Sequence, residues 1–201
     1  MTKMLNADKA INIQKAALAI KAGEVVAFPT DTVYGLGANF TRPEAIDQLY
    51  TIKARDPNKP IAVLIGSLEQ LPLLSQNIHP HAQALIQKFW PGALTLVVPK
   101  KPGLPESLSS SSNIGVRMPA HPVALALIAL SGPLAATSAN LSGGENCTTA
   151  EQVLFQLRGR VSLILDGGKC QISCPSTVVD CTGRHIRILR EGAISAAELG
   201  L

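Results

Sequence analysis

Lys53, Arg55 and Lys59 place three cations within seven residues, and Arg117 and Arg190 sit at the ends of later apolar runs. Planar guanidinium forks and point-charge ammonium groups are the usual means of recognising a polyphosphate. The competing reading of the same charges is an ordinary solvated face. Hydroxyl and amide side chains recur in similar settings: Thr30 to Thr32, Ser138 to Asn140, and Ser176 with Thr177 each follow or precede an apolar run. Such residues bond the local backbone in any turn, but their return at several strand ends suits the close approach of a polar ligand. Neither a Gly-x-x-x-x-Gly-Lys-Ser/Thr loop nor a Gly-x-Gly-x-x-Gly loop occurs, so the two common nucleotide-binding loops do not apply. There is no Gly-x-Ser-x-Gly elbow, and His79, His81, His121 and His185 show no triad spacing. A polar, cationic site without a protein nucleophile or a dedicated metal cage fits phosphate-transfer chemistry run by positioning and charge stabilisation.

To gather these residues the chain must bring strand ends together. Val25-Val26-Ala27-Phe28 is an apolar run halted by Pro29, which has no N–H to extend a ladder, and it reads as a buried strand. Further strands are expected at 61–65, 94–98, 114–118, 134–137, 161–165, 176–179 and 186–189. An amphipathic helix is expected from Asn6 or Asp8 as N-cap to Gly23, and another from Pro43 toward Lys53 with Ile46, Leu49 and Tyr50 as its stripe. Ser67 to Gln70 carries a capping-box pattern, His79-Pro80-His81 opens a helix to Phe89, and Pro122 opens an all-apolar, buried one to Leu130. Thr148-Thr149-Ala150-Glu151 is a second capping box, with its helix running to about Leu157. Strands alternating with helices early, and mostly strands late, predict an α/β fold: a mixed parallel and antiparallel sheet flanked by helices, one domain over residues 1–201. The Pro-, Gly- and Ser-rich stretch 100–113 is the one long loop, of a length often used as a lid.

Composition excludes some classes. Hydrophobic residues at 46% against 16% charged describe a globular chain, and the longest clean apolar run, Val123 to Leu130, is far short of a bilayer span. The first residues turn polar too soon for a signal peptide, so a cytoplasmic location without membrane contact is the expectation. Eighteen Lys and Arg against fourteen Asp and Glu give +4, a mild basic bias that suits an anionic ligand. Four Phe, two Tyr and one Trp are few for a platform that stacks single-stranded bases. Cys147, Cys170, Cys174 and Cys181 are expected as reduced thiols. A zinc site from Cys170, Cys174, Cys181 and His185 would lack the tight Cys-x-x-Cys pairs of common structural sites.

Taken in order, Pro29-Thr30-Asp31-Thr32-x-Tyr34-Gly35-Leu36-Gly37, Lys53-x-Arg55, Lys59-Pro60, Gly115-Val116-Arg117-x-Pro119-x-His121-Pro122, Ser138-Ala139-Asn140-x-Ser142-Gly143, Pro175-Ser176-Thr177-Val178-Val179-Asp180 and Leu189-Arg190-x-Gly192 resemble the YrdC/Sua5 family. The blocks span almost the whole chain. The resemblance implies a twisted mixed sheet with a basic concave face and a nucleotidyltransferase, L-threonylcarbamoyladenylate synthase. That enzyme uses L-threonine, bicarbonate and ATP with Mg²⁺, and releases pyrophosphate in the route to N6-threonylcarbamoyladenosine at position 37 of tRNA. It implies L-threonine contacts from Thr32, Arg117, Ser138 and Ser176, and ATP contacts from Arg55, Lys59, Asn140, Thr148 and Arg190, with Asn113 a further ATP candidate. Lys53, Arg55 and Lys59 are the implied catalytic cations, and no protein metal ligand is implied. Separate threonylcarbamoyl transferase proteins would take the product, and tRNA itself is a candidate partner. Two departures stand out. Leu64 occupies the position of a threonine-contacting His in two-domain members, and the second domain of the longer Sua5 type is not expected here.

Two other classes compete. A double-stranded RNA-binding or tRNA-binding module without catalysis would use a basic concave face through phosphate and 2′-OH contacts, and steeply salt-dependent affinity would mark it. A carbamoyl transferase of the hydrogenase-maturation kind shares this domain but carries others as well.

Overall fold

Ten strands form one sheet in the computed structural model, which describes residues 1–201. In chain order they are β1 (Lys3–Asn6), β2 (Val26–Phe28), β3 (Gly35–Asn39), β4 (Ala62–Leu64), β5 (Leu94–Pro99), β6 (Asn113–Arg117), β7 (Leu134–Ser138), β8 (Leu163–Asp166), β9 (Thr177–Asp180) and β10 (Arg187–Arg190). Their spatial order is β1-β8-β2-β3-β7-β4-β6-β5-β9-β10. β1 and β2 both run parallel to β8, as β4 does to β6 and β5 to β9, and the remaining pairs are antiparallel. The expected mixed sheet is the observed one.

The helices are α1 (Ala10–Ala22), α2 (Pro43–Lys53), α3 (Pro80–Phe89), α4 (Pro122–Ser131), α5 (Ala150–Leu157) and α6 (Ala196–Leu199). Proline opens α2, α3 and α4, where its fixed φ is pre-set for a helix and its missing N–H loses no bond. Several expectations shift. Residues 3–6 are strand rather than helix approach, and α1 starts after Lys9, with no side-chain cap. The capping box of α5 lies one residue later than expected, between Thr149 and Gln152. Ser67 caps nothing; a 3-10 helix over Leu68–Leu73 follows, with Pro72 inside it. α4 buries Ala124, Leu127 and Ile128, but Leu130 is 42% exposed, so this apolar helix is covered on one side only. No helix is long and apolar enough to cross a membrane.

The stretch 100–113 is tied down rather than free to act as a lid. Leu108 is fully buried, its carbonyl accepts from Ile61 N–H, the Lys101 N–H donates to Leu74 O, and Tyr50 OH donates to Ser107 O.

The sheet is covered unequally, and that creates the site. Along each strand alternate residues face opposite sides. One side carries Ala27, Leu36, Ala135, Val63, Val116, Leu96 and Val179, which join α2, α3 and α5 in an apolar cluster of 38 buried residues. On the other side α1 and α4 pack over Val26, Phe28, Leu134, Leu163 and Leu165 in a cluster of only 15. That smaller lid of helices reaches just part of the sheet. Gly37 makes room for it, since a Cβ there would lie 2.6 Å from the Phe28 ring.

Candidate active site

Past α1 and α4 the same sheet face is bare, and a cleft of about 240 Å³ opens across β3, β7, β4, β6, β5 and β9. Strand periodicity sets its floor. Ala62 pairs with Ala136, Val63 with Val116 and Val97 with Gly115, so Ala136, Ala62, Gly115 and Val97 form a row facing the cleft. Gly35, Thr95 and Val178 face the same way in the adjoining rows.

Polar groups stand around this floor. Thr30 and Thr32 come from the turn after β2, Arg117 ends β6, Ser138 ends β7, Ser176 precedes β9, Arg190 ends β10, and Arg55 follows α2. Arg117 and Asp31 form a buried ion pair, 6% and 2% exposed. Arg117 Nη2 donates to Asp31 Oδ1, Nη1 to Thr32 Oγ1 at 2.9 Å and Nε to the Gly92 carbonyl at 2.9 Å. Burial pulls the Arg117 pKa down, the Asp31 carboxylate opposes that pull, and Arg190 adds to it. A guanidinium has five N–H donors, so two remain for a ligand.

The opposite wall is built by the turn after β10. Arg190 Nη2 donates to the Ser176 carbonyl at 2.7 Å and to Ser176 Oγ at 3.3 Å, and Ser176 Oγ shares a 2.8 Å hydrogen bond with Thr95 Oγ1. The two segments are laced together by Ala193 N–H on Pro175 O and by Thr177 Oγ1, which donates to Ile194 O and accepts from Ile194 N–H. Arg55 donates to the carbonyls of Lys59 and Pro60. Burial lowers the Arg190 pKa first, and Arg55 across the cleft lowers it further. Three arginines and no carboxylate line this cleft. Such a field draws anions.

Residues 18–192 match the family model Sua5_yciO_yrdC, described as "Telomere recombination". The chain belongs to the Sua5/YciO/YrdC family. A Bacillus subtilis protein named threonylcarbamoyl-AMP synthase is 44% identical over 190 residues, covering 93% of this chain and 55% of its own length. Pyrococcus abyssi Sua5, solved in complex with L-threonine, has a TM-score of 0.93 at 41% identity, covering 95% of this chain and 58% of that one. E. coli YciO has a TM-score of 0.89 at 26% identity, covering 99% and 100%. The chain therefore spans a little over half of the first two relatives and the full length of the third.

Of the residues nominated from the Sua5/YciO/YrdC motifs, Thr32, Arg55, Arg117, Ser138, Ser176 and Arg190 line the cleft. Lys53, Lys59, Asn113, Asn140 and Thr148 do not. Lys53, named above among the catalytic cations, is 1% exposed, and its Nζ donates to Ser138 O, Asn140 O and Asn140 Oδ1. Three donors meet three acceptors, and nothing is left for a ligand. Asn140 is likewise turned inward, its Nδ2 donating to Leu141 O and Gly144 O. Thr148 Oγ1 donates to Gln152 Oε1, the Asn113 backbone pairs with Ser111, and the Lys59 side chain is exposed. Leu64 presents an apolar side chain to the cleft. Sequence reasoning missed the carboxylate role of Asp31 and the cleft positions of Thr95 and Asn146. Cys170, Cys174, Cys181 and His185 form no metal-holding group, and burial raises the thiols of Cys147 to about 11 and Cys181 to about 12.

Burial holds the Lys53 pKa near 8, below the 10.5 of free lysine, with Arg55 as the second cause. Between those values the unfolded chain binds the proton more tightly. The stability difference between wild type and Lys53→Met, from denaturant titrations, is therefore expected to shift in favour of wild type as pH rises through this window. A flat difference would contradict the assigned burial.

Proposed function

We propose that this chain is an L-threonylcarbamoyladenylate synthase, a nucleotidyltransferase acting in tRNA threonylcarbamoyladenosine formation, with its residues working as one YrdC-like domain. The observation that carries the reading is the arginine-lined, carboxylate-free cleft in a chain 41% identical to a relative solved with L-threonine. In the reaction, the threonine amine adds to bicarbonate with loss of water, giving an N-carboxylate. Its oxygen attacks the α-phosphorus of ATP, the bond to the β,γ-diphosphate breaks, and pyrophosphate leaves. The substrate thus supplies the nucleophile, which agrees with a cleft whose lining hydroxyls have no histidine, lysine or carboxylate among them to activate one.

Arg117, Thr32, Ser138 and Ser176 would hold threonine, and Arg55 and Arg190 the triphosphate. Lys59, exposed on the loop beside Arg55, would add charge at the mouth, and Asn113 and Thr148 would need new rotamers to reach the nucleotide. Lys53 and Asn140 act indirectly by fixing the end of β7, which carries Ser138, and the turn after it. Mg²⁺ would arrive on the nucleotide's own oxygens, where it offsets triphosphate charge. Rejecting valine falls to hydroxyls placed to bond the substrate OH. Separate transferase proteins and tRNA complete the expected partners.

The test is pyrophosphate release from ATP with bicarbonate, comparing L-threonine, L-serine, L-valine and no amino acid. Strong threonine dependence is the expected result. Folded protein with Mg²⁺ that releases none would overturn the proposal and favour the RNA-binding alternative. Arg55→Ala is expected to raise the KM for ATP about tenfold with the KM for threonine little changed, as loss of a charged hydrogen bond would.

A further inference from the structure

We infer that Thr30 is a positioning residue that fixes the direction of the Thr32 hydroxyl, making Thr32 a pure acceptor for a ligand N–H. The ligand's identity rests on the amino-acid reading above, but the direction of the hydroxyl does not. A threonine hydroxyl has one proton and two lone pairs. Thr30 Oγ1 lies 2.6 Å from the Val33 carbonyl oxygen, which can only accept, so the single Thr30 proton goes there. Thr30 Oγ1 also lies 3.0 Å from Thr32 Oγ1. With the Thr30 proton already engaged, the proton in that contact belongs to Thr32. The backbone N–H groups of Thr32 and Val33 also reach Thr30 Oγ1, at 3.2 and 3.3 Å, long contacts that share one of its lone pairs and leave the other to the Thr32 hydroxyl. Thr32 Oγ1 in turn accepts from Arg117 Nη1 at 2.9 Å. Its proton and one lone pair are therefore occupied, and one lone pair is left.

The Thr95 and Ser176 pair across the cleft has no such lock, because either oxygen can donate to the other. The polarity of Thr32 is thus a property of its own turn. Beside it, Arg117 keeps two N–H donors free. A donor fork next to a fixed acceptor matches an α-amino acid, with the carboxylate on Arg117 and the α-nitrogen on Thr32 Oγ1. An N-carboxylated amine still carries one N–H, so the same acceptor serves before and after the first step.

Thr30→Val keeps the shape and removes the hydroxyl, freeing the Thr32 proton to turn toward the ligand. Calorimetric binding would compare L-threonine with 2,3-dihydroxybutanoate, whose hydroxyl replaces the amine and can both donate and accept. In Thr30→Val the affinity for L-threonine is expected to fall about tenfold while that for the hydroxy acid changes less, so selectivity between the two shrinks. Thr30→Ser restores it. A merely structural role would weaken both ligands alike. Neutron diffraction of the deuterated wild-type protein tests the direction without any ligand, with a deuteron on Thr32 Oγ1 expected to face Thr30. Selectivity unchanged in folded Thr30→Val, or a deuteron turned to the cleft, overturns the assignment. A deuteron facing Thr30 in a protein that binds no L-threonine upholds the hydroxyl direction and sinks the amino-acid reading instead.

Discussion

Asp31→Asn is expected to lower the unfolding free energy by about 3–5 kcal/mol, measured by urea titration, because it leaves a buried guanidinium without its counter-charge. Asp31 and Arg117 are both almost wholly enclosed, and the Asp31 oxygen that meets Arg117 also accepts from Ala120 N–H. One substitution therefore disturbs the end of β6 and the segment leading into α4 together. The double variant Asp31→Asn with Arg117→Met removes the orphaned charge and is expected to recover part of the loss, as replacement of both members of buried pairs generally does. A loss below about 1 kcal/mol for the single variant would mean that the pair behaves like a surface ion pair and that solvent reaches it.

Gly192→Ala is expected to cut threonine-dependent pyrophosphate release by about a hundredfold. A Cβ at this position would lie 2.6 Å from the Ser176 carbonyl carbon and closer still to the Pro175 oxygen. Those atoms are backbone, so they cannot rotate away. The turn after β10 must lift off the start of β9, carrying Arg190 from its two contacts on Ser176. A displacement near 1 Å at a positioning group is enough for that loss of rate, while overpacking of this kind costs about 1–3 kcal/mol of stability. A soluble, folded Gly192→Ala protein with wild-type turnover would show that Arg190 does not need this seat.

Much of this architecture is legible in the chain itself. The halted apolar runs before Pro29 and Pro119 become β2 and β6, and the Pro-opened helices start where proline says they should. The motif residues at strand ends converge on one cleft. What local pattern could not reveal depends on contacts between distant segments. Gly35-Leu36-Gly37-Ala38-Asn39 has the composition of a turn but forms β3, because its glycines let the strand pass beneath Phe28 and β7 can pair with it. β1 exists only through its pairing with β8, far along the chain. Lys53 looked like one of three cations facing a ligand, yet its acceptors lie on Ser138 and Asn140, residues that no helical or strand period links to it. α6 is one turn held by a Ser195 and Glu198 capping box, too short for periodicity to register.

Gly35, Ala62, Gly115 and Ala136 have no side-chain rotamers to lose. A substrate laid across them immobilises nothing that was previously free, so the entropic penalty of association falls on the ligand and on the few long side chains at the rim. The sheet backbone, already held by its ladder, provides a surface as ordered before binding as after it. Affinity gained at the rim is then retained for the reaction instead of being consumed in ordering the base of the site.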